Sequence, residues 1–350
     1  MAQMLTLAAL AGAPTRFHLI DVRDANDYAA AHVTGAVHIP LADLEARAGE
    51  IPAGTTPVTI CGKGGGRSAE GVDILNRLGH PHALWLEGGT NGWLAPILAD
   101  KHHDAPSAFT PESLLREARR QKGAEAVAVP KVCLLDPDGD IVRQLCAEGR
   151  ARRHDGWVCY HTEMWVFDLE GHEIGVVGCA VGASFAVLVA EEMFASGCEL
   201  LISVTSSGQI SPEGTPPYFI LIDRAWRDEG TSYHYLPPSD WSAAPEQLLS
   251  RLDGAFEDGP RVLIGATWTT DAPFRETEAA IAAARSRGIL AVEMEAAALY
   301  AFARARDQDV ICLAHVTNQM GTIEGDFEKG EANGTADALA VVSRIAAGLG

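Results

Sequence analysis

Residues 57–79 read PVTICGKGGGRSAEGVDILNRLG, and the order of residue types in them decides the fold class. PVTIC (57–61) is a short β-rich apolar run. The glycines follow at once, and SAEGVDILNRLG (68–79) has helical spacing closed by Gly79. The flanking sequence keeps this alternation. FHLIDV (17–22), AVHIP (36–40) and ALWLEGG (83–89) read as strands, and LADLEARAG as a helix with a glycine stop. Strand–helix alternation predicts a small, mostly parallel α/β sheet.

That sheet uses only the first part of a chain of 350 residues, so a second domain is expected. The polar stretch ADKHHDAPSAFTPES (99–113) reads as the linker, giving domains over 1–98 and 114–350. The second domain also predicts as α/β. SFAVLVAEEMFASG (184–197), AVEMEAAALYAFARA (291–305) and TADALAVVSRIAAGL (335–349) read as helices. ELLISV (199–204), RVLIGAT (261–267) and VICLAHV (310–316) read as buried strands of a sheet covered on both faces.

The net charge of −20 argues against a nucleic-acid partner, because backbone phosphate binding needs clustered cations. It leaves room for a small anion in a local basic pocket. Seven scattered cysteines suggest neither a disulfide framework nor a zinc site. His102 and His103, adjacent in a polar linker, predict no metal. The chain start has no basic leader and nothing later approaches a membrane span, so a cytoplasmic protein is expected.

In CGKGGGRS the loop points several backbone N–H groups at one spot, and a helix N-terminus adds positive potential. Cys61 at its mouth, with Lys63 and Arg67 nearby, is expected to be partly thiolate and suited to attack on sulfur or phosphorus. A Walker A loop is excluded, because no GK followed by Ser or Thr closes the glycines.

LIDVRDANDY, AHVTGAVHIP, the CGKGGGRS loop and LEGGTNGW, in order across residues 15–98, resemble the successive signatures of a rhodanese domain. The resemblance implies that Cys61 carries sulfane sulfur as a persulfide. It also implies that Lys63, Gly64, Gly65, Gly66, Arg67 and Ser68 hold the anionic donor, with Asp21 and Arg23 structural. Five residues separate Cys61 from Arg67, where most single-domain rhodaneses have four. The longer loop is similar to that of rhodanese-fold phosphatases and arsenate reductases, so a small oxyanion stands as the second reading.

VEMEAAALYAFA, together with GAS followed by a helix and a strand ending in TSSG (182–208), resembles the nucleoside phosphorylase family of purine and uridine phosphorylases and methylthioadenosine nucleosidases. RDEGTSYHYLPP and TTDAPFRETE agree more loosely. The resemblance covers roughly residues 130–350 and implies cleavage of an N-ribosidic bond through an oxocarbenium-like transition state. It places Glu293 and Glu295 at the ribose hydroxyls, Met294 on the sugar face and Phe274 as a wall for the base. Gly182, Ser206 and Ser207 fall in the nucleophile loops, and Asn318 stands where many purine enzymes have an acidic residue. An amide serves both edges of a 6-oxopurine, and the Gln and Arg that read uracil in uridine phosphorylases have no counterpart after RETE, so purines are favoured over uridine.

The family's phosphate arginines are missing. Gly139 or Asp140, Tyr160 and Ser203 stand at their places, with Arg143, Arg152 and Arg153 as candidate substitutes. The nucleophile therefore stays open between phosphate, as an optional co-substrate, and water; no other cofactor is expected. The expected partners are a small-molecule nucleoside and a sulfane-sulfur donor or small oxyanion, in a homo-oligomer. The alternative is a nucleoside-binding sensor domain that governs the rhodanese.

Overall fold

The computed structural model describes residues 3–12, 16–33, 35–94, 101–320 and 326–350. The chain divides into two compact units, Met1–Lys101 and His102–Gly350. The expected linker, 99–113, begins outside the described residues. Within 101–110 no helix or strand forms, and a helix starts at Pro111, capped by the Thr110 hydroxyl.

In the first unit β1 (Gln3–Leu5), β2 (Phe17–Asp21), β3 (Val37–His38), β4 (Thr56–Ile60) and β5 (Leu84–Leu86) form a five-stranded parallel sheet. Their order is β1-β5-β4-β2-β3. Ile20, Val58, Ile60 and Leu86 are fully buried, as strands covered on both faces require. β4 ends at Ile60, and the helix Gly66–Arg77 begins inside the glycine run rather than after it.

The second unit is a ten-stranded mixed sheet: β6 (Val132–Asp136), β7 (Arg152–Arg153), β8 (Met164–Leu169), β9 (His172–Gly178), β10 (Leu200–Gln209), β11 (Tyr218–Asp228), β12 (Trp241–Ala243), β13 (Val262–Thr270), β14 (Ile289–Glu293) and β15 (Asp309–Asn318). One core, with the helices Ala183–Ala195 and Ala296–Arg306, covers one side. A second, with Asp140–Ala147 and Thr335–Leu349, covers the other.

One expected helix is in fact a strand followed by a helix. Residues 289–293 pair with β13 and β10, and the helix begins only at Ala296. The run AVEMEAAALY is apolar at both periods, so spacing alone could not divide it. From Ala296 to Ala303 every residue is buried, which suits a helix sunk between layers. Tyr300 lies inside with its hydroxyl satisfied twice, donating to Ile222 O at 2.6 Å and accepting from Cys312 N–H at 3.0 Å.

Strand register assembles the site. β10 and β15 run parallel, setting Ser206 beside His315 and, past a bulge, Gly208 beside Asn318. β6 runs parallel to β10 with Leu135 opposite Ser203, so the turn after Asp136 reaches Ser206. β14 crosses β10 antiparallel with Val292 opposite Gly208, and Glu293 faces Thr269 of β13. Five chain segments far apart in sequence thus end at one place. Among the described residues no helix is long and apolar enough to cross a membrane.

Candidate active sites

In the first unit Cys61 follows β4 and is only 6% exposed. Its sulfur lies 3.2 Å from the Ser68 hydroxyl and 3.3 Å from Gly65 O. Burial pushes the thiol up, but the Ser68 hydroxyl and the amides of Ser68, Lys63 and Gly64 outweigh it, so Cys61 titrates below an ordinary thiol.

The loop turns inward because Gly64, Gly65 and Gly66 all have positive φ, which side chains resist. It is also wedged in place. A Cβ on Gly89 would stand 2.0 Å from Cys61 O, and one on Gly64 would stand 2.9 Å from Gly88 N.

The two cations of the loop face solvent. Arg67 is half exposed and pairs with Asp27 at 3.7 Å, and Lys63 is exposed. Asp21 and Arg23 form a buried bidentate pair, with Nε to Oδ1 at 2.9 Å and Nη2 to Oδ2 at 2.7 Å.

In the second unit Ser206, Ser207, Phe274, Glu293, Met294 and Asn318 line one cavity of about 430 Å³. Ser207 is 3% exposed, and its hydroxyl has no partner among the described residues. Asn318 is held by its amide: Nδ2 donates to Ser207 O at 3.3 Å and Oδ1 accepts from Met320 N–H at 2.9 Å. Phe274 is wholly exposed at the mouth, which excludes the core-packing role that its type alone would allow.

The two glutamates divide their roles. Glu293 Oε1 accepts from the hydroxyls of Thr267 (3.1 Å) and Thr269 (2.5 Å), and Oε2 from the N–H groups of Glu295 and Ala296, both at 2.7 Å. It closes the start of the helix and has four donors of its own. Glu295 is 1% exposed and accepts from Gly182 N–H at 2.7 Å, which ties the GAS loop to this segment. Burial, then the Glu293 charge beside it, pushes Glu295 up to about 8. Its charged form is thus disfavoured by burial and by the neighbouring carboxyl.

No arginine occupies the expected anion positions. Ser203 is buried in β10, and Tyr160 is exposed, donating to Gln121. At Gly139 a Cβ would lie 2.6 Å from Cys179 Sγ. Arg143 is exposed and holds Asp140 at 2.8 Å, while Arg152 and Arg153 pair with Glu173 and Glu163 on the surface.

Two further residues, to which the motifs assign no role, line the cavity. Lys329 reaches Asp140 at 2.6 Å and Asp138 at 3.1 Å. Its loop carries no sequence signal beyond a lone lysine among acids. Glu276 lines the cavity beside Phe274, and burial pushes it up to about 7. The RETE run already quoted contains it.

Residues 131–347 match the family model of the phosphorylase superfamily, and residues 6–96 match that of the rhodanese-like domain. A guanosine phosphorylase of Halorubrum lacusprofundi is 26% identical over 137 residues, covering 39% of this chain and 56% of that protein. A DeoD-type purine nucleoside phosphorylase of Shewanella denitrificans is 28% identical over 158 residues, 44% of this chain and 67% of that one. The chain thus spans little more than half to two thirds of these relatives. The solved structure of uridine phosphorylase from Vibrio fischeri ES114 has the same fold, with TM-score 0.55 at 18% identity, over 65% of this chain and 97% of the other.

Proposed function

The chain belongs to the phosphorylase superfamily and carries a rhodanese-like domain, and on that premise we propose that it cleaves the N-ribosidic bond of a 6-oxopurine nucleoside in one domain and carries sulfane sulfur on Cys61 in the other. The observation that carries the first part is the single cavity lined by Ser207, Glu276, Met294 and Asn318. Its size suits a small ligand.

The base edge follows from chemistry. A 6-oxopurine offers an N–H donor at N1 and acceptors at O6 and N7. A carboxyl at Glu276 and an amide at Asn318 match that set, whereas adenine lacks the N1 donor. The match to a guanosine phosphorylase points the same way. Glu276, raised to about 7 by burial and so able to hold a proton at neutral pH, is suited to give it to the departing base. Glu293 and Met294 line the same cavity, which puts a carboxyl on the side where a cation develops at the anomeric carbon.

In the rhodanese-like domain the reading rests on where the donors point. The loop amides converge on the Cys61 sulfur itself, and Arg67 is engaged with Asp27, which supports a sulfur carrier over an oxyanion cradle. The Cys61 thiolate attacks the outer sulfur of a donor such as thiosulfate. Sulfite leaves with the S–S bonding pair, and a persulfide remains on Cys61.

Both parts are tested on the purified chain. Incubated with inosine, guanosine, adenosine, methylthioadenosine and uridine, it is expected to release hypoxanthine and guanine fastest and uracil not at all. Release of no base from any of them, with tight nucleoside binding, would replace this reading with that of a sensor. Intact mass after thiosulfate should show one added sulfur, absent in Cys61→Ser.

A further inference from the structure

At the cleavage site the anion position is filled by the chain itself. Asp138 lies in the turn after β6, and its Oδ2 accepts from Ser206 N–H at 3.2 Å, from the Ser206 hydroxyl and from Lys329 Nζ at 3.1 Å. These are the donors that an external anion delivered to the sugar would need. Asp136 and Asp140 stand around the same corner, and Lys329 is the one cation lining it among the described residues.

A dianion entering here must displace a carboxylate from its donors and then share one ammonium with three carboxyls. A neutral nucleophile meets neither obstacle. Asp138 Oδ1 has no bond among the described residues, and the carboxylate lines both the nucleoside cavity and a chamber of about 20 Å³. That chamber has room for a single water. His315 borders it, 5% exposed, with Nε2 lacking a partner among the described residues. A water there would satisfy that nitrogen.

We infer that Asp138 selects the nucleophile: its carboxylate keeps phosphate off Ser206 and orients the water that attacks the anomeric carbon, so the domain is a hydrolase. This rests on the ribosidic cleavage proposed above. The water oxygen bonds to C1′ as the C1′–N bond breaks. The base leaves with the bonding pair and takes up a proton, one water proton passes to Asp138, and free ribose is the co-product.

The test measures base release from inosine by the full chain, with and without excess inorganic phosphate, and identifies the sugar as ribose or ribose 1-phosphate. The wild type should give free ribose at a rate that phosphate does not change. Asp138→Asn, close in shape, should keep the melting temperature and lose about 100-fold in hydrolysis. Asp138→Ala should become phosphate-sensitive, through inhibition or through ribose 1-phosphate.

Phosphate-dependent ribose 1-phosphate from the wild type overturns this inference and leaves ribosidic cleavage standing. So does Asp138→Asn hydrolysing at the wild-type rate. If Asp138→Ala does not fold, Asp138→Asn decides. Release of no base under either condition overturns the ribosidic reading and this inference together.

Discussion

Two loops in this molecule share a plan and differ in sign. Each follows the C-terminal end of a parallel strand, β4 or β6, and each leads into a helix, at Gly66 or Asp140. In each the chain supplies an occupant of its own. The first loop directs the amides of Lys63, Gly64 and Ser68 at the Cys61 sulfur, and among the described residues no carboxylate bonds that sulfur. The second holds Asp136, Asp138 and Asp140 around one lysine, with a carboxylate on Ser206. Backbone geometry prepares a place for negative charge in both cases. The side chains decide whether an outside anion finds donors free or already engaged.

Breaking the first loop should have the largest effect. Gly89→Ala places a methyl 2.0 Å from Cys61 O at a residue with φ of +58°. It should destabilise the first domain by at least about 2 kcal/mol and abolish sulfur uptake, read by chemical denaturation and by mass after thiosulfate. Wild-type uptake in this variant would show that the Gly88–Gly89 wedge does not hold the loop.

A smaller change should follow Ser68→Ala, which removes the hydroxyl 3.2 Å from the sulfur. The midpoint of the pH profile of Cys61 alkylation should rise by about one pH unit, with the fold retained. An unmoved midpoint would assign the lowered thiol to the amides alone.

The smallest effect belongs to the acidic loop. Asp136 is raised to about 6 by burial, against two N–H donors from Gly139 and Val142 that lower it. The folded state then binds more protons than the unfolded state between about pH 4 and 6, so this group's contribution falls as pH rises through that window. Asp136→Asn should flatten that part of the stability profile, measured as melting temperature against pH. A slope equal to that of the wild type would exclude Asp136 as its source.

Much of this was legible in the sequence, for a physical reason. Strand and helix periods in 57–79 and 335–349 are local properties, and both segments fold as their spacing predicts. The glycines of the Cys61 loop announce themselves because few other residues accept positive φ. The segment 289–295 was less legible. Glu293 looks like a ribose ligand in a motif, yet its oxygens are taken by Thr267, Thr269 and the helix start, partners fixed only by the register of β13 and β14. Arg67 read as an anion contact, and its pairing with Asp27 comes from a residue forty positions earlier.

Lys329 carries no signal of type or spacing that separates it from solvent-exposed charges, and Glu276, although inside the RETE run, is not marked out from its neighbour Glu278. Their importance follows from what they face, which the fold alone sets.

By itself the sequence determined two α/β domains, the family of each, the glycine loop around Cys61 and the absence of arginine at Gly139, Tyr160 and Ser203. Those follow from residue types and local order. Only the tertiary structure decided that Asp138 engages Ser206 and Lys329, that burial and Glu293 raise Glu295, and that Glu276 joins Asn318 at the cavity. Each depends on burial and on charges brought together from distant segments, and a linear sequence does not state the distance between them.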